Sequence, residues 1–72
     1  MRETMTDQIS SILQYFTYKH LPEHLQEISK QFCEVAYLMV DKLPANRETI
    51  KSLDKLLEAK DAAVRAYITN EK

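Results

Sequence analysis

The chain contains no glycine and no tryptophan, a single cysteine and only two prolines. Each scarcity removes a class of explanation. Phosphate-cradling loops of the Walker or dinucleotide-fold kind need glycine, so neither is available. A β-rich fold is disfavoured, because tight hairpin turns rely on glycine or Asn-Gly pairs. One cysteine cannot form an internal disulfide. There is no run of about 18 apolar residues of the kind that crosses a membrane, and Met1-Arg2-Glu3-Thr4 lacks the apolar core of a signal peptide. Excess positive charge is also missing. Ten Lys and Arg against eleven Asp and Glu give a net charge of −1, which argues against a protein that coats long nucleic acid. No cofactor is implied.

Seventy-two residues form one domain. Chains below roughly 80 residues seldom bury enough apolar surface alone and lean on disulfides, metals or partner subunits. The two prolines, Pro22 and Pro44, divide the sequence into three segments. In the first, Met5, Ile9, Ile12, Leu13 and Phe16 recur every three or four positions, the spacing of one helix face. Thr6 is the expected cap. In the second, Pro22 suits a first helical position, and Leu25, Ile28, Phe32, Val35 and Met39 make a heptad-like seam. In the third, Asn46 is the expected cap. Ile50, Leu53, Leu57, Val64 and Tyr67 form its seam, interrupted by Lys60, which is expected to be solvated like Lys51 and Lys55. Asp61 and Arg65 are spaced to pair. The fold expected is all-α, with a short helix over 5–14 and long helices over 22–43 and 46–69. The short link at Pro44 predicts an antiparallel hairpin. Further apolar residues at Leu38, Val40, Leu56 and Ala63 predict faces that meet other subunits, hence a homo-oligomer.

The densest chemistry lies in Tyr15-Phe16-Thr17-Tyr18-Lys19-His20, which holds three of the six aromatic residues beside two basic ones. Rings of this kind stack nucleobases, and neighbouring cations meet phosphate. The ordinary alternative is that Phe16 caps the core and the tyrosines sit at its rim. Arg47 offers a second phosphate-binding guanidinium, or else a solvated charge. His20 and His24 are four apart, but Pro22 between them argues against a metal site. Cys33 lies beside the apolar seam, where a thiol behaves as a small hydrophobe rather than a nucleophile. The residues argue against an enzyme.

The order of these motifs resembles a family. Phe16-Thr17-Tyr18 before a proline, then Pro44-Ala45-Asn46-Arg47-Glu48, then Leu53-Asp54-Lys55-Leu56-Leu57-Glu58-Ala59 and an Ala-rich end are similar to the phage anti-CBASS cyclic-nucleotide sponges. The similarity spans roughly Tyr15 to Ile68. It implies a small helical protein assembled as a homohexamer in the cytoplasm of an infected bacterium. Such a protein binds cyclic dinucleotides without cleaving them and so silences host immunity. Carried across, the base-stacking tyrosine is Tyr18 and its aromatic neighbour is Phe16. Direct counting puts the basic position at Ser29, and the adjacent Lys30 is the residue able to fill it. Relatives that also hold cyclic trinucleotides use an Arg where this chain has Asn70. Two other functions remain open on the residues: a helical hairpin that blocks a host protein, and, more weakly, a phosphodiesterase acting on the same messenger.

Overall fold

A computed structural model describes residues 4–70. Among them the chain is all-helical: α1 spans Met5–Leu13, a 3-10 turn follows at Gln14–Phe16, α2 spans Glu23–Lys42 and α3 spans Arg47–Asn70. Thr4, not Thr6, caps α1. Its hydroxyl accepts from the Asp7 N–H at 3.0 Å, and the Asp7 carboxylate accepts from the Thr4 N–H at 3.3 Å. Thr4 wins because a carboxylate stands three residues on, which closes a reciprocal box that satisfies two orphan donors. Thr6 has Ile9 in that place.

Pro22 is the residue before α2 and not its first. It has no side chain able to cap, so its carbonyl takes the first helical bonds from Leu25 and Gln26. Asn46 serves as expected at α3, its Oδ1 accepting from the Thr49 N–H at 2.9 Å. The Thr49 hydroxyl donates back to the Pro44 carbonyl at 2.7 Å, which ties the connection to the helix and explains why a polar residue is buried there.

The helices meet around a small knot. Ile9 of α1, Phe16 of the 3-10 turn, Ala36 of α2 and Leu53 of α3 are buried together, with Ile12, Leu13, Met39, Val40, Ile50 and Leu57 around them. α2 and α3 run along one another, and His24 near the start of α2 lies against Tyr67 near the end of α3, ring centroids 6.0 Å apart.

Three sequence expectations are corrected by this packing. The buried line of α2 is Leu25, Ser29 and Ala36, whereas Val35 of the expected seam remains 43% exposed. Leu25, Phe32 and Met39 of the seam do face inward, and Ile9 and Phe16 packing on Ala36 widen the buried face to that side. Lys60 is not solvated: its side chain is only 14% exposed and its ammonium reaches Asp61 at 3.2 Å. It lies on the inward face of α3, so its stem packs while the charge escapes to the edge. Asp61 is thereby taken by Lys60, not by Arg65.

Ser29 carries a cost. Its hydroxyl is completely buried and has no hydrogen-bond partner. A buried polar group left unpaired costs about 1–3 kcal/mol. Ser29→Ala should therefore stabilise the protein by about 1 kcal/mol, a rise of roughly 4–8 °C in thermal midpoint for a domain of this size. Phe16→Ala should cost about 3–5 kcal/mol. Thermal melts followed by circular dichroism check both, and a Ser29→Ala variant that melts lower would show that the hydroxyl is needed.

Candidate functional site

The connector between the 3-10 turn and α2 is where the sequence-predicted ligand residues gather, and its shape follows from four local constraints. Phe16 is completely buried in the knot and anchors the connector at one end. Thr17 turns back, its N–H and hydroxyl both donating to the Gln14 carbonyl, at 3.4 and 3.1 Å. The Leu21 N–H donates to the Tyr18 carbonyl at 3.0 Å and closes a turn around Lys19 and His20. From α2, the Gln26 amide donates to the Leu21 carbonyl at 2.8 Å and the Lys19 carbonyl at 3.4 Å. Only six residues separate the two helices, and these bonds tie them at both ends.

What this builds is an open depression of about 350 Å3 lined by Thr17, Tyr18, Lys19 and His20 from the connector and Cys33 from α2. Tyr18 is partly buried, and Lys19 and His20 are exposed. A flat ring beside an ammonium and an imidazole over a shallow floor can stack a planar heterocycle and receive an anion. Tyr15 is exposed and lies outside this lining.

The remaining candidates are placed differently. Phe16 and Ser29 are buried to completion and present no surface to a ligand. Their part is beneath the site, Phe16 as the anchor of the connector. Lys30 is exposed on α2 three residues before Cys33, a spacing that makes them neighbours on the helix surface, so it stands next to the depression without lining it. Arg47 opens α3 beside the α2–α3 connection and is not part of the depression's lining. His20 belongs to the depression while His24 is against Tyr67. Among the described residues, no group of three or more His, Cys, Asp or Glu could hold a metal ion. Among the same residues, no helix is long and apolar enough to cross a membrane.

Cys33 and Gln26 are the contributors that sequence reasoning missed. Cys33 could have been found by noting that it shares a helix flank with Lys30. Gln26 carries no signal, since its role depends on where two carbonyls of the connector end up.

The chain matches no family model, no curated protein and no solved structure.

The Cys33 thiol is held above the ordinary thiol range, first by burial and then by the neighbouring Glu34 carboxylate. Less thiolate is then present at any given pH. Alkylation of Cys33 near pH 8 should run slower than that of free cysteine, and its rate should rise through a higher pH range. The unfolded chain would lose this proton first, so the group subtracts stability as pH climbs past the ordinary thiol value. A rate equal to free cysteine, read by mass spectrometry, would show that Cys33 is not shielded as described.

Proposed function

We propose that this protein is a phage-encoded sponge that binds cyclic dinucleotides intact, withholding the messenger from a CBASS-type effector in the host cytoplasm. The observation that carries the reading is Tyr18, braced over a shallow depression with Lys19 and His20 beside it and Lys30 on the adjoining helix flank. The order of sequence motifs shared with the cyclic-nucleotide sponges supports it. The depression, about 350 Å3, lies at the small end of ligand sites, which run to roughly 300–1,000 Å3. One base of a two-base ligand suits it, and the second base would need another copy of the site. A twofold ligand held between twofold-related chains satisfies that demand. The reading therefore includes α2 and α3 as an antiparallel hairpin whose copies assemble, as in the hexamer the resemblance implies. Binding without cleavage is part of the proposal: Tyr18 stacks, the cations hold phosphate, and Phe16 and Gln26 keep the connector in place.

A second reading is favoured by one observation, the apolar channel exposed between α2 and α3. It is a helical module that blocks a host protein directly, and it requires no small-molecule ligand.

Isothermal titration against a panel of cyclic dinucleotides separates the two. The sponge reading expects saturable binding, ligand recovered chemically unchanged after denaturation, and protection of Cys33 from alkylation when ligand is present. Tyr18→Ala should weaken binding by about 1–3 kcal/mol per base, the value of lost stacking. Absence of binding across the panel, or a linear product in the recovered ligand, would contradict it.

A further inference from the structure

The two flanks of α2 differ in what they offer. On one, Ile28, Gln31, Phe32 and Val35 join Leu56 and Ala63 of α3 around an apolar channel of about 400 Å3 with no charged residue in its lining. On the other lies the connector depression, and the helix carries more there than Cys33. At about 100° per residue, Gln26, Lys30, Cys33 and Tyr37 fall within about 60° of one another. Tyr37 is 55% exposed and stands one turn beyond Cys33. Side chains on a helix lean toward its N-terminus and cover the turn before their own Cα. For Tyr37 that is the turn of Cys33. Its ring therefore borders, without lining it, the depression that Thr17, Tyr18, Lys19 and His20 close from the other side.

The connector gives this flank a direction. Phe16 shares the buried knot with Ala36, and the Lys19 and Leu21 carbonyls accept from the Gln26 amide. The connector thus runs antiparallel to α2, from the level of Ala36 to that of Gln26. Lys19 and His20 stand toward the Gln26 end, where Lys30 joins them, with Glu23 and Glu27 further round the helix. The Ala36 end of the flank holds no cation: Tyr37 stands there between Glu34 and Asp41. An anion is favoured at the first end and repelled at the second, whereas an uncharged base finds a ring at the second. Lys30 and Tyr37 lie about 10 Å apart along the helix axis, the scale of one nucleotide.

We infer that Tyr37 is a second base-contacting residue of this site, so that one nucleotide of the ligand lies along α2 with its phosphate at Lys30 and its base against Tyr18 and Tyr37. This rests on the reading of the depression as a cyclic-dinucleotide site, and it adds a residue and a direction. The ring is what counts, so phenylalanine should serve in its place.

The chain has no tryptophan, so Tyr37→Trp places a sole indole at this position. The full-length Tyr37→Trp chain is titrated with cyclic di-AMP, cyclic di-GMP and cyclic GMP–AMP in turn, and its emission is followed. Leu38→Trp, also exposed and about 100° further round α2, is the control. A ligand that binds should quench the Tyr37→Trp emission to saturation and leave that of Leu38→Trp unchanged. In isothermal titration Tyr37→Ala should bind roughly tenfold more weakly, and Tyr37→Phe like the wild type. Tyr37→Ala should keep the salt dependence of binding, whereas Lys30→Gln should flatten it, since only the latter removes a charge. Tyr37, Leu38 and Lys30 are all exposed, and circular dichroism confirms that each variant is helical. A wild type that binds one of these ligands, with Tyr37→Trp unquenched and Tyr37→Ala at full affinity, would overturn the role of Tyr37 and leave the binding reading intact. A wild type that binds none of the three would overturn both.

Discussion

The burial of one ring organises this molecule. Phe16 sits at the point where α1 ends and the connector begins, and it is wedged against Ala36 of α2 and Leu53 of α3. Without that wedge α1, nine residues long, has no reason to persist, since isolated helices of that length are marginal in water. The connector would lose its fixed end, and the bonds from Gln26 and Thr17 would have nothing to brace. Ala36 is small for the same reason: a larger side chain there would push the ring out of the space it fills. The site is thus a consequence of a packing event a few residues away from any group that could touch a ligand.

How far the sequence foretold this depends on which physical signal each feature used. The three helices were legible because proline breaks and apolar periodicity are local properties. The Asn46 cap was legible because Asn precedes a carboxylate-bearing first turn. Of the α2 seam, Leu25 is buried, Phe32 and Met39 pack against the core and Val35 is exposed; the spacing could not reveal that α1 and the 3-10 turn would also bury Ala36 on the adjoining side. The same blindness affected Lys60, whose charge suggested solvent while its long stem allowed it to lie inside. At the candidate site, Tyr18, Lys19 and His20 were adjacent in sequence and remain so in space. Phe16 looked like a ligand residue by composition, but its register on the helix face decides that it belongs to the core. Ser29 followed from counting alone, and counting carries no information about burial.

α2 carries a concavity on each of two flanks. The connector depression lies on one, with Cys33 and Lys30; the apolar groove lies on the other, with Ile28 and Val35. A shallow half-site repeated by symmetry is also an economical way for a short chain to hold a ligand that itself has two equivalent halves.

Native mass spectrometry of the purified full chain, with and without an added cyclic dinucleotide, tests this account most directly. The account predicts an assembly of an even number of chains that takes up unmodified ligand, at no more than one cyclic dinucleotide per pair of chains. A single chain that carries no ligand at micromolar concentration, or an assembly whose mass is unchanged by every cyclic dinucleotide supplied, would contradict it.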